Sequence, residues 1–259
     1  MKYSKLLAVG LSVASLNSIQ VLAVDAPVAK PPVPVGTLHA ETELGVILTT
    51  GNTNTASYKA KLLTKYEGLN WKNKFLVDAL YKEDEIETNG VTDTQVTAEK
   101  YFVSAQSDYK LNVKNSALFV FASYENDRFS GYAHQSTFAL GYSDRLFEGE
   151  SSMLDYSAGP GYSFSETDTG VKDETSMVRV AMAYEYKLSG HAKFNQDLST
   201  EIVADSKSNA KSKSETAITA NLLGSLSLKA AYSITHNSEV AADKETTDTT
   251  TSISVVYVF

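Results

Sequence analysis

From Leu38 to the end of the chain, apolar and polar residues alternate over long stretches, and each stretch is closed by a turn. In the clearest stretch, one face carries Val178, Val180, Met182, Tyr184, Tyr186 and Leu188, and the other carries Arg179, Ala181, Ala183, Glu185 and Lys187. Successive side chains of a β-strand point to opposite faces, so this period of two predicts strands with one apolar and one small or polar face. The alternation recurs about 12 times and predicts an all-β fold.

The links between the predicted strands distinguish a membrane barrel from a soluble sandwich, since both have one apolar face. Links after even-numbered strands are short and comprise residues 67–70, 111–113, 148–150, 189–190 and 224–225. Links after odd-numbered strands are mostly longer and more charged, as in residues 83–91, 125–133, 165–173, 205–213 and 239–247. Short turns at one end and long loops at the other are typical of bacterial outer-membrane barrels. The sequence therefore predicts a transmembrane, antiparallel, up-and-down β-barrel of about 12 strands.

Aromatic residues collect beside the short links, where the interfacial girdle of a membrane barrel lies. They are Tyr66, Trp71, Tyr109, Tyr142, Phe147 and Tyr186. The last strand also ends on an aromatic residue, with Tyr257 and Phe259 on its apolar face. Tyr257 and Phe259 are therefore the candidate signal for outer-membrane assembly. The expected partners are outer-membrane lipids and the assembly machinery, and the sequence leaves the oligomeric state open.

The first 37 residues precede the predicted barrel. Residues 1–23 have the basic start and short apolar stretch of a cleavable signal peptide, with cleavage expected after Ala23 or, as second choice, Ala26. Polar residues interrupt the apolar stretch, which argues against a membrane anchor. Residues 24–37 contain four of the five prolines and are expected to form a periplasmic leader. Residues 38–259 then form the barrel, and export places the protein in the outer membrane of a Gram-negative bacterium.

Composition excludes several other classes of protein. The chain has no cysteine, so neither disulfides nor thiolate metal sites are available. The formal charge of −8 becomes −10 once Lys2 and Lys5 leave with the signal peptide, because 21 basic residues then face 31 acidic ones. Such an acidic chain argues against binding to nucleic-acid phosphates. No later segment is apolar enough for a transmembrane helix, so strands must form any membrane span.

Several motifs occur in a fixed order along the chain. They include Thr50-Gly51-Asn52-Thr53, Asn126-Asp127-Arg128-Phe129-Ser130-Gly131-Tyr132, Gly159-Pro160-Gly161-Tyr162 and the ending Val255-Val256-Tyr257-Val258-Phe259. With these motifs, which extend over nearly all of residues 38–259, the chain resembles the salt-induced outer membrane protein family, also called YdiY-like, whose domain has no known function. The resemblance implies an outer-membrane location and a connection with salt or osmotic conditions. It supplies neither a reaction nor a ligand.

The motif residues also have purely structural interpretations. Gly51-Asn52 fits a tight hairpin turn between the first two strands. Asp127 and Arg128 are expected to form a local ion pair that orders an outer loop. Ligand binding by either motif is the alternative.

Two of the four histidines lie in a possible catalytic arrangement. His134 and His236 each precede a serine by two residues, which puts base and nucleophile on one strand face, as in outer-membrane phospholipases. The residues that follow each serine do not match those enzymes, so a lipid hydrolase is a remote alternative and no catalytic residue is assigned. The acidic segment at residues 83–85 lacks the spacing of a calcium loop. No metal and no cofactor are predicted.

The polar faces of the strands converge on the barrel interior. Candidate lumen-lining residues are Lys59, Lys61, Lys65, Asp155, Arg179, Glu185 and Lys229. Twelve strands lie between the eight that side chains fill and the sixteen or more that leave a wide channel. The sequence therefore favours a narrow pore for ions or small solutes, with a non-conducting structural or surface-interaction barrel as the alternative. Whether the lumen is open or plugged is left undecided.

Overall fold

The structure is a computed structural model that describes residues 36–49, 55–88, 91–111, 115–203, 210–238, 240 and 245–259. The predicted signal peptide, nearly all of the proline-rich leader and the Gly51-Asn52 turn lie outside these residues and stay predictions. The described residues contain no helix that is long and apolar enough to cross a membrane.

Twelve antiparallel strands form one closed barrel, and each strand pairs with the next along the chain. The strands are β1 (Thr37–Thr49), β2 (Thr55–Glu67), β3 (Trp71–Thr88), β4 (Val91–Lys110), β5 (Ala117–Asp127), β6 (Tyr132–Glu148), β7 (Ser152–Thr167), β8 (Lys172–Lys187), β9 (Ala192–Val203), β10 (Ala210–Leu223), β11 (Leu226–Asn237) and β12 (Thr247–Val258). Pairing of β1 with β12, from Glu41 opposite Val258 to Leu44 opposite Val255, closes the barrel. The predicted up-and-down barrel of about 12 strands is confirmed.

The two faces of the wall differ as the alternation predicts. In β8, Val178, Val180 and Met182 are exposed on the outside of the barrel, whereas Arg179 between them is buried inside. Large apolar side chains cover the outer face of the other strands as well, and the aromatic residues named above as the girdle are all exposed there. Trp71 and Tyr109 of that girdle pack edge to face with ring centroids 5.0 Å apart. This apolar outer surface is the face that a transmembrane barrel presents to lipid.

The predicted asymmetry of the links is weaker in the structure. We call the end of the barrel where β1 begins and β12 ends the terminal rim, and the opposite end the distal rim. Most of the residues predicted as a loop at 83–91 continue β3 and β4 instead, with pairs such as Glu85 opposite Thr94, and only residues 89–90 link the two strands. Beyond the acidic run at residues 83–85, Ile86 and Thr88 flank Glu87 and have high β-propensity, which favours continuation of the strand. The expectation of a long loop at this position was wrong.

The Gly159-Pro160-Gly161 motif lies where β6 and β7 approach closely. Ala139 pairs with Gly161 and Tyr142 pairs with Ala158, and the residues between them do not pair across β6 and β7. A Cβ atom added to Gly159 would lie 2.0 Å from the carbonyl oxygen of Leu140. Proline has no N–H to donate, which explains the gap in the ladder. Glycine is required here because the two backbones leave no room for a side chain.

Candidate functional site

The lumen is the candidate site, and its seven predicted residues all lie on the inward faces of their strands. They are Lys59, Lys61 and Lys65 of β2, Asp155 of β7, Arg179 and Glu185 of β8, and Lys229 of β11. Lys59 and Lys229 are mostly buried, with 10% and 12% of their side chains exposed. A lysine so enclosed in a barrel must have charged or polar partners inside the wall. The partners form two networks.

The first network, which we call the central network, is built around Glu43 of β1. Its carboxylate lies 3.2 Å from Nζ of Lys59 and 2.9 Å from Nζ of Lys229, and the hydroxyl of Ser254 donates to it at 2.6 Å. Glu43 is 4% exposed, so its charge is stabilised by these donors rather than by bulk water. The glutamate therefore ties β1 to β2, β11 and β12 across the inner surface.

Glu215 of β10 extends the central network to the other side of β11 and β12. Its carboxylate accepts from Lys229 at 2.8 Å and from Lys61 of β2 at 3.1 Å. Lys61 also approaches Asp78 of β3 at 4.0 Å. Because β1, β11 and β12 lie between β2 and β10 in the barrel, the Lys61–Glu215 pair spans that arc of the lumen.

The second network, the distal network, lies nearer the distal rim and spans the lumen more completely. Glu125 of β5 is 6% exposed and contacts Lys100 of β4 at 3.0 Å. It also contacts Lys211 at 3.0 Å and Lys213 at 2.5 Å, and both lysines belong to β10. Since β6 to β9 lie between β5 and β10, these contacts run from one side of the barrel to almost the opposite side.

Apolar side chains fill the part of the lumen beside β5 to β8. Phe119, Phe121, Ala139 and Met177 form a buried cluster, with Phe119 1% and Met177 2% exposed. The guanidinium of Arg179 lies 3.8 Å from the ring centroid of Phe121, a cation–π contact. Any path for solutes must therefore run along the charged side chains and not through this cluster.

Part of the lumen on the terminal side, beside β2, β3 and β9, is accessible. Lys65, Lys74 and Asp197 point inward and yet are exposed, which indicates open space around them. Asp155 accepts two hydrogen bonds from Arg145, at 2.6 and 3.1 Å, and Glu185 accepts one from Asn195 at 3.4 Å. We call this accessible part of the lumen the terminal vestibule.

Sequence reasoning did not identify several residues that shape the lumen. They are Glu43, Glu125, Lys211, Lys213, Glu215, Phe119 and Phe121. The alternation does assign Glu215 and the two lysines to one face of β10, and that pattern could have found them. The phenylalanines were missed because their face of β5 begins with apolar residues and becomes polar only further along, at Ser123, Glu125 and Asp127.

The ion pair expected between Asp127 and Arg128 is not formed. Asp127 contacts Lys100 at 3.2 Å, and Arg128 contacts Glu99 at 3.1 Å. Asp127 is in register with Lys100 of β4, and Arg128 lies in the turn after β5, from which its side chain reaches Glu99 of β4. The expectation of a local pair was therefore wrong.

Three residues of the two histidine–serine pairs make other contacts. The ring of His134 stacks on Tyr124 at 5.9 Å between centroids, and Nδ1 of His236 lies 2.9 Å from the hydroxyl of Thr247. Ser238 accepts from the backbone N–H of Ala210 at 2.8 Å. Within the described ranges, no three histidine or acidic side chains are placed to hold a metal ion.

The candidate assembly residues lie on the outer face at the terminal rim. The rings of Tyr257 and Phe259 pack edge to face with centroids 4.8 Å apart. The backbone N–H of Phe259 donates to the carbonyl of Ala40 at 2.9 Å, which fixes the last residue against β1. Their role in assembly stays a prediction.

Comparison with known proteins adds to this geometry. The family described as a protein of unknown function, DUF481, matches residues 42–259. The chain is 27% identical over 248 residues to the Escherichia coli (strain K12) protein described as uncharacterized protein YdiY, a match that covers 95% of this chain and 91% of that protein. The resemblance drawn from the sequence motifs is thereby confirmed.

The chain is also similar to two solved structures. An outer membrane channel from Pseudomonas putida F1 has a TM-score of 0.49 and 11% identity, with 92% of this chain and 100% of that chain covered. The NanC porin has a TM-score of 0.46 and 9% identity, with 86% of this chain and 98% of that chain covered.

Proposed function

The chain belongs to the DUF481 family, and from the geometry of its lumen we propose that it forms a narrow outer-membrane pore for ions or small solutes. The observation that carries the proposal is the pair of charged networks that cross the lumen. Side chains just fill a barrel of eight strands, and a barrel of 12 strands encloses more space. In this barrel, charged residues line that space in both the central and the distal network.

The pore is narrow because side chains from distant strands touch inside it. Glu125 of β5 meets Lys211 and Lys213 of β10, and Glu215 of β10 meets Lys61 of β2. Permeating ions must therefore move past or displace these pairs. Rings and pairs of charged side chains are a common basis of ion selectivity in pores.

The connection with salt or osmotic conditions that the family resemblance implies is part of this proposal. Ion pairs weaken as ionic strength rises, because the Debye length falls from about 10 Å at 0.1 M to about 3 Å at 1 M. The networks of the lumen are partly enclosed and are screened less than surface pairs. Higher salt should still favour their opening, which gives the pore a physical link to external salt.

Removal of the Glu125 carboxylate from the distal network tests the proposal. In Glu125→Ala, the amino groups of Lys100, Lys211 and Lys213 lose their shared carboxylate and repel one another, so the side chains should move apart. Wild-type protein refolded into planar bilayers should show small, discrete currents, and the variant should conduct severalfold more. Glu166→Ala is the control, because Glu166 pairs with Lys172 at 3.7 Å near the distal rim, away from both networks.

The same recordings address the second candidate function, a non-conducting structural or surface-interaction barrel. The buried cluster of Phe119, Phe121, Ala139 and Met177 favours it, because that cluster closes part of the lumen. Absence of current from both the wild type and Glu125→Ala, across several salts and voltages, would contradict the pore and leave the second candidate ahead. Heat-shifted migration on a gel shows that each protein is folded.

A further inference from the structure

Two lysines of the terminal vestibule lie directly opposite each other. Lys65 of β2 pairs in register with Lys74 of β3, and both side chains point into the lumen and are exposed there. Directly opposed residues of an antiparallel pair have Cβ atoms about 5 Å apart, and like charges at that spacing are destabilising. Lys59 and Lys61 on the same strand are paired with carboxylates. Neither Lys65 nor Lys74 has a carboxylate within ion-pair distance in the described part of the chain.

A third cation faces the lumen from the other side of the barrel. Arg179 of β8 is 8% exposed, and its Nε and Nη1 donate to no acceptor among the described residues. The closest carboxylate oxygen, from Glu201, is 3.8 Å from Nε, too far for a hydrogen bond. Asp197 is the strongest electrostatic partner of Lys74, and the weaker ones include Lys65 and Arg179. In the described part of the chain, therefore, neither the two lysine amino groups nor these two guanidinium nitrogens have a carboxylate at hydrogen-bond distance.

We propose that Lys65, Lys74 and Arg179 form a binding site for a small oxyanion group, such as a carboxylate, phosphate or sulfate carried by a solute. An oxyanion between the two amino groups accepts a charge-assisted hydrogen bond from each and removes their repulsion. The planar guanidinium of Arg179 has donors that match carboxylate and phosphate oxygens. This site deepens the proposed function, on which it rests for the entry of solutes into the lumen.

Binding can be measured without any current. Protein refolded in detergent micelles at low salt is titrated calorimetrically with inorganic phosphate and, separately, with acetate, so that the two oxyanion classes are compared. The wild type should bind at least one of them. Lys65→Gln and Lys74→Gln should each weaken that binding about tenfold, the loss expected for one charge-assisted hydrogen bond. Lys172→Gln is the control, since Lys172 is 75% exposed near the distal rim.

Thermal unfolding gives a second, independent readout. Without ligand, Lys74→Gln should unfold at a higher temperature than the wild type, because it removes a like-charge contact. Phosphate should then stabilise the wild type more than the variant. A variant that is less stable than the wild type would overturn the site. The site would also be overturned if the wild type bound neither phosphate nor acetate, or if the Lys65→Gln/Lys74→Gln protein bound them as well as the wild type does. If the barrel bound the anion but carried no current, the proposed pore would be contradicted and the binding site would not.

Discussion

Lysine at position 182 should largely prevent folding into lipid vesicles, whereas lysine at position 183 should be tolerated. Met182 is 40% exposed on the outer face of β8, between Tyr156 of β7 and Leu198 of β9. A lysine that faces lipid near the midplane of such a barrel costs about 2–4 kcal/mol. Ala183 faces the lumen, where its register partners are Asp155 and Asp197. A lysine there gains opposite charges on both neighbouring strands.

The two variants differ by one residue in the chain, so each controls for the other. The folded fraction is read from the gel shift, and the free energy of unfolding from urea titration in vesicles. Equal tolerance of both lysines would contradict a lipid-facing outer surface. The reverse order would mean that the register of β8 is displaced by one residue, which exchanges its two faces.

Alanine at position 159 should also be severely destabilising, although it adds only one methyl group. The new Cβ would lie 2.0 Å from the carbonyl oxygen of Leu140 and 2.6 Å from Cα of Gly141. Both contacts are with the backbone of β6, so no side chain can rotate away, and the two strands must separate. Overpacking typically costs about 1–3 kcal/mol, and a clash between two strands lies at or above the top of that range.

Gly190→Ala is the matched control, because nothing lies within 4 Å of the methyl group it would add. Gly190 is in the link between β8 and β9, and its variant should unfold at the same urea concentration as the wild type. Gly159→Ala should refold in much lower yield. A Gly159→Ala protein as stable as the Gly190→Ala protein would show that β6 and β7 are not as close as described.

Much of the fold could be predicted because β-strands have a strict period of two. Alternation at Met182 and Ala183 is enough to assign faces, and the structure agrees there. The links were harder to predict, since residues 83–91 are as charged as a loop and still pair as strands. Charged residues indicate that a segment is exposed to water. They do not distinguish a loop from a strand, because a hairpin that extends beyond the lipid is exposed to water as well.

The lumen could be predicted only in part. Alternation places Lys61 and Lys229 inside, and both lie there. The alternation gives no information on which strands face each other across the barrel. The ion pair between Glu125 and Lys213 therefore could not be predicted. Such contacts depend on strand tilt and stagger, which a single strand does not encode. For the same reason Lys65 and Lys61 looked alike in the sequence, although only Lys61 has a carboxylate partner among the described residues.

Envelope fractionation combined with a heat-shift gel shows whether this chain is a barrel in the outer membrane. The protein should sediment with the outer membrane on a density gradient. An unheated sample in detergent should migrate differently from a boiled one, because a closed barrel stays folded until heated. A soluble periplasmic protein whose migration does not change with heating would show that the chain is not such a barrel.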